Sequence, residues 1–203
     1  MSSDNLDLTS KIAIWCQNNL RYIIIGALIG ITIPLSWNYY QHSKKIKNVE
    51  ASDLYTQLID LITTDEEYKN VADKISNNHT ESIYDVLSKF ILSKQEFENK
   101  NYEGAKVYLE DIINININET YNSLATIKIS LINIEEKKYD EALRLLENVD
   151  LKDAFKPVLL ELKGDIYKFK GDKEKSLNFY NQALSSSSVD NENLLMKKNS
   201  VKK

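Results

Sequence analysis

Residues 22–41, YIIIGALIGITIPLSWNYYQ, contain no Asp, Glu, Lys, Arg or His. A helix rises 1.5 Å per residue, so twenty residues span about 30 Å, the thickness of the hydrocarbon core of a bilayer. We therefore predict a transmembrane helix over residues 22–41. The alternative is a buried core helix, which would normally show a polar stripe. No small-residue cleavage site follows, so we interpret the segment as an uncleaved anchor and not as a signal peptide.

Aromatic and basic side chains flank this segment on both sides, as is typical of the boundary between membrane and water. The residues expected at that boundary are Trp15, Arg21, Tyr22, Trp37, Tyr39 and Tyr40. Arg21 has an apolar stem long enough to keep its charge in water beside an apolar surface. Pro34 would break a soluble helix, but a membrane-spanning helix tolerates one kink.

The flanking charges leave the orientation of the anchor nearly balanced. Lys11 and Arg21 precede the segment, whereas Lys44, Lys45 and Lys47 follow it. By the positive-inside rule this distribution slightly favours a cytoplasmic C-terminal domain, although long C-terminal domains cross membranes regardless of charge.

The charge balance of the remaining chain excludes one class of function. Residues 48–184 carry 17 Lys and Arg against 26 Asp and Glu, a net charge of −9. A domain this acidic repels phosphate backbones, so we predict that it does not bind nucleic acid. Cys16 is the single cysteine, which rules out an intrachain disulfide.

No catalytic or metal-binding pattern stands out in the sequence. It contains no CxxC, GxSxG, HExxH or glycine-rich phosphate loop. We therefore predict a protein that is not an enzyme and has no cofactor, no metal and no small-molecule substrate. His79 lies in a polar turn without another His or Cys nearby, and we expect it on the surface rather than in a ligand set.

Three similar segments recur in the C-terminal half and indicate an internal repeat. Residues 101–105 (NYEGA), 138–142 (KYDEA) and 172–176 (DKEKS) each follow one predicted helix and open another. Their small residues Ala105 and Ala142 lie 37 residues apart, and Ser176 follows 34 residues later. Thirty-four residues is the period of the tetratricopeptide repeat (TPR), a pair of antiparallel helices.

The last repeat matches the TPR pattern best. The small and aromatic positions of this pattern are occupied by Gly164, Tyr167, Ser176, Tyr180 and Ala183. Small residues let the two helices of a pair approach closely, and aromatic rings fill the space between them. Gly171-Asp172 should end one helix and cap the next, and Pro157 fits a first helical turn.

A stack of such repeats leaves a concave face lined by the first helix of each pair. In the middle repeat this face would carry an apolar stripe of four residues, Leu124, Ile127, Leu131 and Ile134. Ile129 and Ile132 lie outside this stripe. An apolar groove of this kind suits unfolded or amphipathic peptides. The alternative is that the stripe is core, covered by a neighbouring helix or by the C-terminal tail.

The sequence thus predicts an all-α protein, a transmembrane helix followed by a TPR-like solenoid of helical hairpins. Five segments are expected: an N-terminal segment (1–21), the anchor (22–41), linker helices (42–80), repeats (81–184) and a tail (185–203). We expect Thr80 to cap the first repeat helix. Residues 193–196 are expected to form a short helix that covers the open end of the stack.

The order of these parts resembles the ancillary subunit family of the bacterial Sec translocon. The stretches that carry the resemblance are SWNYY at 36–40, ASDLY at 51–55, KKYDEAL at 137–143, LKGDI at 162–166, KGD at 170–172 and LLMK at 194–197. The resemblance implies a single-pass inner-membrane protein with a cytoplasmic N-terminus and a periplasmic TPR-like domain. It also implies partnership with the Sec translocon, unfolded secretory proteins and periplasmic chaperones.

Two functions therefore stand at this point. In one, the protein is a translocon-associated adaptor that helps pass newly translocated proteins to periplasmic chaperones. In the other, it is a cytoplasm-facing TPR scaffold, or a regulator of an envelope stress response, without chaperone activity. The side of the membrane on which the repeats lie separates the two.

Overall fold

The computed structural model describes residues 3–62, 67–149, 155–186 and 191–202, and within these ranges the regular structure is helical throughout. This confirms the predicted all-α fold. The chain divides into two compact units, residues 1–53 and residues 54–203.

The first unit is built from α1 (Ser3–Asn18) and the longer part of α2 (Leu20–Leu61). The predicted anchor, residues 22–41, lies within α2, and Pro34 does not interrupt the helix. The side chains expected at a membrane boundary, Trp15, Arg21, Tyr22, Trp37, Tyr39 and Tyr40, are all exposed. Within the described part of the chain, α2 is the helix that is long and apolar enough to cross a membrane.

The second unit begins with the end of α2 and continues through eight further helices among the described residues. They are α3 (Tyr68–Asn78), α4 (Ile83–Glu98), α5 (Tyr102–Ile115), α6 (Glu119–Glu135), α7 (Tyr139–Glu147), α8 (Lys156–Phe169), α9 (Lys173–Ser186) and α10 (Glu192–Lys202). Each of these helices packs against the next along the chain, and α4 also contacts α6. Three hairpins result, α4–α5, α6–α7 and α8–α9, which correspond to the three predicted repeats.

The turns inside the three hairpins share one backbone geometry at the spacing of the repeat. Lys100, Lys137 and Gly171, which are 37 and 34 residues apart, all adopt a positive φ, of 62°, 62° and 80°. In each turn the next residue donates its N–H to a carbonyl five residues earlier, as in the 2.9 Å bond from Asp172 to Tyr167. These bonds satisfy carbonyls left without partners at the helix end.

Polar side chains begin four of the six repeat helices, α4, α5, α6 and α9, by accepting backbone N–H groups of the first turn. Asn101 Oδ1 accepts from Gly104 N at 3.1 Å, and Asp172 Oδ1 accepts from Lys175 N at 3.0 Å. The cap predicted at Gly171-Asp172 is therefore confirmed, as is Pro157 in the first turn of α8. The cap predicted at Thr80 is wrong, because Ser82 Oγ accepts from Asp85 N and caps α4 in its place.

A polar cluster joins α3 to α4, and the sequence did not predict it. Lys89 Nζ donates to Asp85 Oδ1 and to Ser76 Oγ, both at 2.6 Å; Lys89 and Asp85 are buried and Ser76 is half-buried. His79, in the turn between these helices, is only 7% exposed. Its predicted surface position is therefore wrong, because α3 and α4 fold back on each other and enclose the turn.

The third hairpin shows why small residues recur in the repeat. A Cβ placed on Gly164 would lie 2.6 Å from two ring carbons of Tyr180, so the aromatic ring rests directly on the glycine backbone. Ser176 Oγ donates to Gly164 O at 2.9 Å, and Tyr180 Oη donates to Asp165 Oδ1 at 2.6 Å. Ala105 and the other small packing residues Ala142, Ser176 and Ala183 are fully buried.

We predict that Gly164→Ala lowers the free energy of unfolding by up to about 2 kcal/mol. The added methyl group must displace the Tyr180 ring or the helix, which typically costs about 1–3 kcal/mol. The higher helix propensity of Ala offsets about 1 kcal/mol of this packing cost. Denaturant unfolding of the full chain in detergent, followed by circular dichroism, measures the change.

A double-mutant cycle and a second glycine provide the controls. In a Tyr180→Leu background Gly164→Ala should cost much less, because the ring it meets is gone. Gly171→Ala should lower the free energy of unfolding by about 1 kcal/mol. The cause would be the positive φ alone, since no atom lies within 4 Å of the added Cβ. If Gly164→Ala left the stability unchanged in both backgrounds, the close packing would be contradicted.

Candidate peptide-binding groove

The first helices of the first two repeats, α4 and α6, form a groove with a cavity of about 140 Å³. Four α4 residues on one helical face line it, together with three from α6 and one from α5. They are Phe90, Ser93, Lys94, Phe97, Leu109, Lys128, Leu131 and Ile132. The sequence predicted a binding face on the first helices of the repeats, and α4 and α6 are two of these helices.

The four residues predicted to line the groove lie in three different environments. Leu131 lines the cavity and is 41% exposed, whereas Leu124 is half-buried. Ile127 is only 5% exposed and packs in a core cluster with Leu146, and Ile134 packs against the same cluster. The structure thus brings Leu131 to the groove, and it brings Ile127 into contact with the core of the second and third hairpins.

Several groove residues were not anticipated from the sequence. Phe90, Phe97 and Lys128 carried no prediction, and Ile132 was expected off the stripe. The signal that could have found the α4 residues is their spacing at positions 90, 93, 94 and 97, which places them on one helical face. The α6 residues follow the same rule at positions 128, 131 and 132.

Two lysines give the rim of the groove its charge. Lys128 Nζ lies 6.0 Å from the centre of the Phe90 ring and makes no ion pair within the described part of the chain. Lys94 is highly exposed and lies 3.6 Å from Glu98, a surface pair that typically contributes under about 1 kcal/mol. The groove is therefore an apolar cavity with positive charge at its edge, on a domain that is acidic overall.

In the third repeat, the corresponding face of α8 is covered by helix α10 of the same protein. Glu161 and Asp165 lie 71 residues after Phe90 and Lys94, which is the sum of the two repeat spacings. Lys197 of α10 donates to both carboxylates, at 2.7 Å and 2.6 Å. Beneath this contact Leu194 and other buried side chains of α9 and α10 form one cluster. Helix α10 thus occupies the place that the first helix of a fourth repeat would take.

Ion pairs also join successive hairpins. Lys106 of α5 pairs with Glu136 in the turn before α7, and Asp140 of α7 pairs with Lys170 in the turn before α9. Hydrogen bonds from Lys106 and Lys138 hold the pKa of the Glu136 carboxyl below its usual value, against the opposing effect of burial. These contacts join each hairpin to the next one along the chain.

Three helical hairpins in register, with a terminal helix docked on the last one and a cavity between α4 and α6, define a TPR-like helical repeat protein. The family profile described as a tetratricopeptide repeat-like domain matches residues 14–203. The chain belongs to this family.

Known relatives agree with the resemblance found in the sequence. The chain is 26% identical over 176 residues to a protein of Haemophilus influenzae named ancillary SecYEG translocon subunit, covering 86% of this chain and 85% of the relative. Proteins with the same name match from Neisseria gonorrhoeae (26% over 186 residues; 89% and 87% covered) and Buchnera aphidicola (26% over 187 residues; 90% and 93% covered). The predicted likeness to this group is confirmed.

We predict that the free energy of unfolding falls as the pH rises above about 10, and that Tyr180→Phe weakens this dependence. Burial and the bond to Asp165 raise the pKa of Tyr180. Burial lowers the pKa of Lys197, but its bonds to Asp165 and Glu161 outweigh this and raise it. Groups with raised pKa values stabilise the fold fully below their unfolded pKa, near about 10 for both, and that contribution is lost as the pH rises further.

Denaturant unfolding between about pH 8 and pH 11 measures the effect. At about pH 8 Tyr180→Phe should lower the free energy of unfolding by about 1.5–3 kcal/mol, because it removes a hydrogen bond to a carboxylate. Tyr102→Phe is the matched control, because its ring packs on Phe97 while its hydroxyl makes no hydrogen bond among the described residues. Identical pH profiles for the parent and the Tyr180→Phe variant would show that Tyr180 does not cause the decline.

Proposed function

We propose that this protein is a membrane-anchored adaptor of the Sec translocon that helps transfer newly translocated proteins to periplasmic chaperones. The observation that carries the proposal is the family match over residues 14–203, which includes the apolar helix as well as the repeats. Relatives that cover most of this chain are named as subunits of that translocon. The role is one of binding and not of catalysis.

The groove supplies the proposed binding surface for the polypeptide. It combines exposed Leu131 with the rings of Phe90 and Phe97, which offer apolar contacts to an unfolded chain. Apolar contacts of this kind suit segments of varied sequence, because they are not directional.

The anchor explains how weak contacts can be sufficient for this role. Helix α2 would hold the protein in the inner membrane, where the translocon releases its substrates. Tethering raises the local concentration of the groove near an emerging chain, so low affinity per contact still gives frequent capture. Low affinity also allows the polypeptide to pass on to a chaperone.

A cytoplasm-facing scaffold or stress-response regulator remains the second candidate. The observation that favours it is the cluster of Lys44, Lys45 and Lys47 directly after the apolar segment. The positive-inside rule places such clusters in the cytoplasm. We propose the opposite topology, with the N-terminus in the cytoplasm and the repeats in the periplasm, because a periplasmic groove can meet translocated proteins.

We predict that a photo-crosslinking amino acid at position 131 captures secretory precursors or a periplasmic chaperone during export. Position 107 is the matched control, since Val107 is also exposed but lies on α5 and does not line the cavity. Adducts should be several-fold more abundant at position 131. Adducts of equal abundance at both positions, or adducts within the protein alone, would reject the groove as the binding surface.

Protease treatment of spheroplasts tests the orientation. We expect residues 48–203 to be digested while an N-terminal tag and a cytoplasmic marker protein stay intact. After lysis the tag should also be digested. Protection of the repeats in intact spheroplasts would reject the adaptor role and favour the cytoplasmic scaffold.

A further inference from the structure

We infer that the groove selects polypeptide segments in which a large apolar side chain stands next to an acidic residue. This inference rests on the proposed function, because it names the chemistry of the polypeptide that the groove would bind. Its two parts are the size of the cavity and the charge at its edge.

The cavity has the size of one ring or one branched aliphatic side chain. Its volume is about 140 Å³, and cavities of about 150 Å³ lined by Leu, Ile and Phe hold a benzene molecule. The walls of this cavity, Phe90, Phe97, Leu109, Leu131 and Ile132, are of the same chemical kind. A single Phe, Leu or Ile side chain of a bound segment would therefore fill it.

The edge of the cavity favours a carboxylate beside that side chain. Lys128 and Lys94 both line the cavity, and within the described part of the chain Lys128 makes no ion pair. The Lys128 ammonium lies 6.0 Å from the Phe90 ring centre, close enough for a weak cation–π attraction that keeps it near the opening. An Asp or Glu next to the inserted residue would meet this charge.

The test uses the full chain in detergent and three fluorescein-labelled ten-residue peptides, followed by fluorescence anisotropy. The first peptide carries one Phe between two Glu in a Gly/Ser background. The second replaces both Glu by Gln, and the third replaces Phe by Ser. We expect the first to bind about two- to five-fold more tightly than the second at low salt, the range for exposed ion pairs, and the third to bind weakest.

Two variants test which lysines cause the preference for the acidic peptide. Lys94→Gln/Lys128→Gln should bind the first and second peptides equally, while Lys173→Gln, an exposed lysine on α9, should keep the full preference. The preference of the parent should also shrink as salt is raised, because exposed charges are screened. Circular dichroism checks that both variants stay folded.

The outcomes separate this inference from the proposed function. Equal binding of the first two peptides, abolished by Leu131→Gln, would overturn the acidic preference and leave the polypeptide groove standing. An acidic preference that survives Lys94→Gln/Lys128→Gln would also overturn the inference, because the charge would lie elsewhere. If none of the peptides bound and crosslinks at position 131 were absent, the groove itself would be rejected.

Discussion

The close approach of two helices within each hairpin is the constraint on which the second unit depends. It requires a small residue wherever the paired helices touch, as at Ala105, Ala142 and Gly164. It also requires a left-handed residue in each turn, so that the second helix reverses directly against the first. Once these two conditions repeat, the first helices of successive hairpins lie side by side, and a groove forms between them.

The sequence predicted the parts of the fold that depend on local pattern. The three hairpins followed from the spacing of Ala105, Ala142 and Ser176, and the cap at Asp172 followed from its place after a glycine. The groove was predicted less well, because a side chain at a groove position and one in the core have the same apolar character. Ile127 and Leu131 are one turn apart on α6, yet Ile127 packs against the next hairpin and Leu131 lines the cavity.

Contacts between distant residues account for the features that the sequence did not reveal. The cluster of Asp85, Lys89 and Ser76 depends on how α3 meets α4. The i,i+4 spacing of Asp85 and Lys89 is typical of a helical ion pair, but it does not show that this pair is buried against Ser76. The pairing of Lys197 in the tail with Glu161 and Asp165 of α8 likewise depends on where α10 docks. Such charges are stable away from water only when their hydrogen bonds are satisfied, a condition that belongs to the three-dimensional arrangement.

The left-handed turns distribute strain unevenly along the protein. Gly171 adopts a positive φ without steric cost because it has no Cβ. At Lys100 and Lys137 the same backbone conformation costs about 1–2 kcal/mol of folding free energy each. By this term alone, the turns of the two hairpins that border the groove are less favourable than the turn of the hairpin beneath α10. Under the proposed function, the strained turns would therefore belong to the hairpins that receive the polypeptide, whereas the hairpin that closes the far end of the stack has an unstrained turn.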